Sequence, residues 1–173
     1  MNGHYLRLVI WLPVLIFVQL VALNHLRIFE YFLPVLYLYP LLKMPYDTGR
    51  WTLILIAAVT GFIMDLLMNT PGLNMAATVL TMYCRKPLLT AMIPDDVLDD
   101  WDGDIVPGTK TMKVFPYLLY LFILTLAHVS VLLILEGFSL GLFRLILPYI
   151  LGGTVFSFVL YLLFDLFSFK KEA

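Results

Sequence analysis

The 22 residues from Val114 to Leu135 contain no Asp, Glu, Lys or Arg, and a run of that length and character has few ways to fold. A bilayer hydrocarbon core is about 30 Å thick, and a helix needs roughly 20 mostly apolar residues to cross it. A helix also pairs its own backbone N–H and C=O groups, as the membrane interior demands. The run therefore reads as a transmembrane helix, and other parts of the chain repeat the pattern. Gly141 to Phe167 is a second long apolar stretch, charged only at Arg144 and Asp165 and closed by Lys170 and Lys171. Tyr5 to Leu23 is longer than the apolar core of a signal peptide and has no small-residue cleavage site before Asn24 and His25, so it reads as a retained span.

Two further runs, Trp51 to Met68 and Leu73 to Ile93, flank Asn69-Thr70-Pro71-Gly72. Pro71 pre-sets the first central position of a turn and Gly72 permits positive φ at the next, which predicts a tight helical hairpin with Thr70, Pro71 and Gly72 at its turn. Arg85-Lys86-Pro87 interrupts the second of these runs, and snorkelling of the basic side chains to an interface reconciles its two halves. Ile28 to Leu42 has only 15 residues and carries Pro34 and Pro40, so it reads as either a short kinked span or a re-entrant segment. The sequence thus predicts an all-α integral membrane protein, a single domain over 1–173. Its bundle has about six transmembrane helices, at 5–23, 28–42, 51–68, 73–93, 114–135 and 141–167, with an acidic loop at 94–113.

Composition agrees, with 62% hydrophobic and 13% charged residues and a mean hydropathy of +0.95. Six crossings put both termini on one side, together with Arg7, Lys43, Arg50, Arg85, Lys86, Lys110, Lys113, Lys170 and Lys171. Arg27 and Arg144 fall on the other, and this nine-to-two split makes the first side cytoplasmic. The same scatter of basic residues gives no concentrated patch for nucleic acid.

Ionisable and amide side chains inside spans are costly and face the protein interior, which singles out Asp65 and His128, with Gln19 and Asn74 at comparable depth in the outer half. These four form a candidate intramembrane polar cluster or partner contact. The functional reading is a ligand site, a proton relay or a contact for a partner; the structural reading is interhelical hydrogen bonding that fixes the bundle. Ala57, Gly61 and Asp65 share one stripe at spacing four, so Ala57 and Gly61 form a candidate helix-packing face. Asp165, one turn before Lys170-Lys171, reads as solvated at headgroup level.

Six of the twelve acidic residues lie between Asp95 and Asp104. Asp95-Asp96-Val97-Leu98-Asp99 has the form of a magnesium-diphosphate motif, but no second acidic motif supplies opposing ligands. Asp100, Asp102 and Asp104 imitate a calcium loop in which Ile105 replaces the turn Gly and Thr111 the bidentate Glu. A solvated loop or a docking surface for a basic partner is the expectation. The single Cys84 excludes an internal disulfide, and His4, His25 and His128 lack metal-ligand spacing. With no hydrolase, zincin or Walker A pattern, the expectation is a non-enzyme without catalytic residues, metal or cofactor.

Met44-Pro45-Tyr46, Gly61-x-x-x-Asp65, Thr70-Pro71-Gly72-Leu73-Asn74, Ala76-Ala77 and Arg85-Lys86-Pro87 together resemble the rod shape-determining MreD family in its Bacteroidetes-type form. His128 and the Glu136-Gly137-Phe138 turn resemble the family's fifth span. The resemblance implies a non-enzymatic scaffold of the cell-elongation complex in the bacterial cytoplasmic membrane. Such a scaffold binds an MreC-like bitopic protein and works, directly or indirectly, with RodA, its transpeptidase partner and MreB, positioning side-wall peptidoglycan synthesis. It also implies a fold similar to the six-helix substrate-binding subunits of energy-coupling-factor vitamin transporters. The alternative expectation is therefore such a subunit, with an outer polar pocket around Asp65 and His128. On the scaffold reading, Gly61→Leu is expected to weaken docking of the partner helix.

Overall fold

The computed structural model describes residues 3–23, 34–100, 105–137 and 143–169, and all regular structure among them is helical. The helices are α1 (Gly3–Val18), α2 (Leu38–Leu42), α3 (Arg50–Met68), α4 (Leu73–Met92), α5 (Asp95–Asp100), α6 (Val114–Gly137) and α7 (Phe143–Phe169). Three of them, α3, α6 and α7, are long and apolar enough to cross a membrane. Residues 28–33 of the expected second segment, Asp102 and Asp104, Phe138, and Lys170-Lys171 lie outside the described residues.

α3 and α4 form an antiparallel hairpin, α4 packs on α6, and α6 packs on α7. The hairpin is made locally. Asn69 takes the left-handed conformation at φ 55°, its N–H returning to the Asp65 carbonyl, and Gly72 follows at φ 78°. Gly61 permits the close approach of the two helices: a Cβ there would lie 2.5 Å from the Met75 Cα and 2.8 Å from the Asn74 carbonyl oxygen. Ala57 is buried on the same face. The helix that Gly61 admits is therefore α4 of the same chain. α4 runs unbroken through Arg85-Lys86-Pro87 to Met92.

The expected 28–42 segment is not a continuous helix where it is described. Residues 34–36 are non-helical, α2 is a five-residue helix, and a turn-rich stretch leads on to α3. Pro40 is tolerated because it sits in the first turn of α2, where its missing N–H has no intrahelical partner to lose. Tyr37, Leu38, Leu41 and Leu42 are each 0% exposed, so this broken piece of chain is enclosed by the bundle. Irregular backbone at membrane depth is tolerated only when protein or an aqueous cavity surrounds it.

Where it is described, the expected loop at 94–113 is also more ordered than a solvated loop. It contains α5, whose Val97 and Leu98 pack against the core. Beyond it, Ile105, Thr111 and Met112 are buried, and the Ile105 carbonyl accepts the Tyr46 N–H at 2.8 Å. The Thr111 hydroxyl closes this stretch on itself, donating to Val106 O at 2.8 Å and accepting from Gly108 N–H at 3.1 Å. Among the described residues the helix exteriors are rich in apolar side chains, with Leu55, Leu66, Leu145 and Leu166 exposed, whereas Gln19, Asp65, Asn74, Arg85, His128 and Asp165 are buried. Apolar outside and polar inside is the arrangement suited to a lipid solvent.

Candidate functional site

The four polar residues picked out in the spans come together, and they do so around a fifth residue. Asp65 projects from the last turns of α3 across the hairpin to the start of α4. Its Oδ1 accepts the Asn74 N–H at 2.8 Å and its Oδ2 the Met75 N–H at 3.0 Å. Gly72, at the N-cap of α4, has no side chain to do this, so Asp65 caps the helix from its neighbour, satisfying first-turn donors that would otherwise be orphaned. The Thr70 hydroxyl at 2.7 Å and the Asn74 amide at 3.1 Å complete four donors to one carboxylate.

From Asn74 the network passes to the buried segment. The Tyr37 hydroxyl lies 3.1 Å from Asn74 Oδ1, 3.2 Å from Thr78 Oγ1 and 3.0 Å from His128 Nε2. Thr78 gives its own proton to the Asn74 carbonyl at 2.6 Å, and Thr81 gives its proton to the Ala77 carbonyl at 2.7 Å. Thr81 Oγ1, 3.4 Å from His128 Nδ1, therefore meets the ring as an acceptor, which assigns the proton to Nδ1 and leaves Nε2 to accept. The Tyr37 hydroxyl has a single proton for these three neighbours and so donates to one of them at a time. Gln19 completes the group from α1, its Oε1 accepting the backbone N–H of Leu36 at 2.7 Å and of Tyr37 at 3.0 Å. Gln19 opens a π-helical turn, Gln19–Leu23, at the end of α1.

A second set of polar groups holds the other end of the same segment. Arg85 is 1% exposed. Its Nε donates to the Tyr120 hydroxyl at 3.1 Å, its terminal nitrogen donates to the carbonyl of Met44, and Tyr120 donates to Leu42 O at 2.8 Å. These are the carbonyls left open where α2 ends, and a guanidinium is well suited to them. Snorkelling of Arg85 to the interface is therefore corrected, while its neighbour Lys86 is half-buried with its ammonium over the Tyr46 ring. Headgroup-level solvation of Asp165 is corrected as well. Asp165 is 6% exposed, accepts the hydroxyls of Tyr39 at 2.6 Å and of Tyr117, and pairs with Lys43 at 2.8 Å. Lys43 also donates to Pro107 O at 3.2 Å and sits 4.5 Å from the centre of the Tyr117 ring.

The flank of the segment is held by α7, where Ser157 Oγ accepts the Val35 N–H at 2.9 Å and the Tyr161 hydroxyl donates to the Val35 carbonyl. Gln19, Asn74, Thr78, Arg85, Tyr120, His128, Ser157, Tyr161 and Asp165 thus converge from α1, α4, α6 and α7 on residues 35–44. Sequence reasoning missed Tyr37, Tyr39, Arg85 and Asp165 as interior groups. The signal that points to them is the pair Pro34 and Pro40, since a backbone broken inside an apolar bundle requires donors and acceptors from elsewhere. Among the described residues, no group of three His, Cys, Asp or Glu side chains is placed to hold a metal ion.

Among the described residues, the fold and its interior define an all-helical architecture with three helices long and apolar enough to cross a membrane, built around a buried, side-chain-supported segment. Comparison with protein-family models, curated proteins and solved structures finds no match to this chain.

Proposed function

We propose that the chain is a non-enzymatic scaffold of the bacterial cell-elongation complex, of the MreD kind, with about six crossings of the cytoplasmic membrane and both termini in the cytoplasm. One observation carries this reading. Gln19, Asn74 and His128, which together with Asp65 resemble a ligand site on composition alone, are engaged with the chain's own Leu36 and Tyr37, while Asp65 caps α4 of the same chain. That leaves helix exteriors and loops as the working surface, which suits a protein whose role is to hold others. The partners on this reading are an MreC-like bitopic protein and, directly or through it, RodA, its transpeptidase partner and MreB. Purification of the tagged chain from its native membrane in mild detergent is expected to co-purify an MreC-like single-span protein. Adjacent MreB-, MreC- and RodA-like genes are expected as well. Recovery of the chain without such a protein, from membranes where one is expressed, overturns the reading.

The second reading is a substrate-binding subunit of a vitamin transporter, with a fold similar to those of energy-coupling-factor systems. The broken backbone of 34–42 at membrane depth favours it, since discontinuous helices build transporter binding sites. It requires Tyr37 to move aside for a ligand. It predicts a small molecule retained on purification and released by His128→Ala, whereas the scaffold reading predicts no saturable binding.

A further inference from the structure

Along the outward face of α4, Leu80 and Tyr83 are exposed at spacing three and Lys86 follows at the same spacing, so an apolar strip ends in a cation. The antiparallel α3 repeats this beside it. Leu55 is exposed, Trp51 is 81% exposed, and Arg50 opens the helix. A ring contact joins the two strips, with the Arg50 guanidinium carbon 4.2 Å from the centre of Tyr83. The Lys86 ammonium lies 5.2 Å from the centre of the Tyr46 ring, and the Tyr46 hydroxyl is 3.2 Å from Thr90 Oγ1, which anchors that ring to α4. Both cations are therefore held on aromatic rings at the level where apolar helix surface stops. A ring face attracts the charge but does not take up the N–H donors as a carboxylate or phosphate does.

We propose that the ends of α3 and α4 bearing Arg50 and Lys86 form a contact surface for an anionic phospholipid. The two cations meet the headgroup phosphate, Leu55 and Leu80 meet acyl chains, and the Trp51 indole lies at the boundary between them. Basic residues attract anionic headgroups at such a boundary, and indole rings concentrate there. The inference rests on the membrane-spanning reading and on no protein partner.

Quenching by brominated lipid tests it. In a Trp11→Phe, Trp101→Phe background, Trp51 is the sole indole, and the full chain is reconstituted into phosphatidylcholine vesicles doped with brominated phosphatidylglycerol or brominated phosphatidylcholine. Two basic residues at a membrane surface lead us to expect half-maximal quenching of Trp51 at a mole fraction about tenfold lower for the anionic lipid. Arg50→Gln with Lys86→Gln is expected to remove most of that preference, and Arg50→Lys with Lys86→Arg to keep it. Equal quenching by the two lipids overturns the proposal without any variant, and so does a preference unchanged by the double Gln substitution. Failure to insert into either kind of vesicle overturns the membrane-spanning reading itself, and the lipid surface with it.

Discussion

The α3–α4 hairpin and the buried segment 34–44 both carry polar backbone that leaves a helix, the first at a turn whose Asn69 and Pro71 are exposed and the second inside the bundle, and they satisfy it in opposite ways. The hairpin uses neighbours in the chain. Asp65 reaches residues nine and ten positions ahead, and Asn69 and Gly72 take the positive φ the turn requires. The segment uses strangers. Its backbone at Val35 and Leu42 is held by Ser157 and Tyr120, 122 and 78 positions away, and its Tyr39 side chain by Asp165, 126 positions away. A local solution forms as soon as two helices exist, whereas a distributed one exists only when the whole bundle does.

The largest expected effect breaks the local side. Gly61→Leu drives a side chain into the Met75 backbone, and overpacking against backbone leads us to expect a loss of about 4 kcal/mol or failure to fold. Thermal unfolding in detergent, read by circular dichroism, checks this; a wild-type melting curve would mean that α3 and α4 are not so close. Next comes Arg85→Met, which leaves the Met44 carbonyl unpaired and removes a donor partner of Tyr120. About 3 kcal/mol is expected from breaking a buried charged contact of this kind. Amide exchange sharpens the comparison, since it should accelerate across 34–49 and stay unchanged across 61–76.

Asp65→Asn is expected to do the reverse at about 2 kcal/mol, because an amide retains one acceptor for the start of α4 and loses the charge and the second oxygen. Exchange should then accelerate at Asn74 and Met75 first; acceleration confined to 34–49 would show that the carboxylate acts on the segment and not on the helix terminus. The smallest effect belongs to Tyr37→Phe, at about 1 kcal/mol, the usual net value of a neutral hydrogen bond. Its signature is a change in the His128 ring resonances by nuclear magnetic resonance, and unchanged resonances would place the hydroxyl elsewhere.

The contrast also explains what was legible in the sequence. Long apolar runs and Pro71-Gly72 mark helices and a turn by local rules alone, and the depth of Gln19, Asp65, Asn74 and His128 follows from counting along each run. The identity of what they hold does not. Tyr37 meets Asn74 and His128 over separations of 37 and 91 residues, which no local pattern encodes. Arg85 and Asp165 were misplaced for a related reason. Arg85 interrupts its run beside Lys86, Asp165 lies near its run's end with Lys170-Lys171 close by in sequence, and a charge in such company reads as solvated until its helix face is known. Neighbours on a helix point about 100° apart, so Arg85 turns to the core while Lys86 does not.

The partners of Val35 also set a schedule for synthesis. A ribosome adding about 5 to 20 residues per second needs roughly 6 to 25 s to proceed from Val35 to Tyr161, the residue 126 positions later whose hydroxyl donates to its carbonyl. Throughout that interval the proline-broken stretch has left the ribosome before the side chains that will complete its bonding. The stretch can settle into its final bonding only when the last helix arrives.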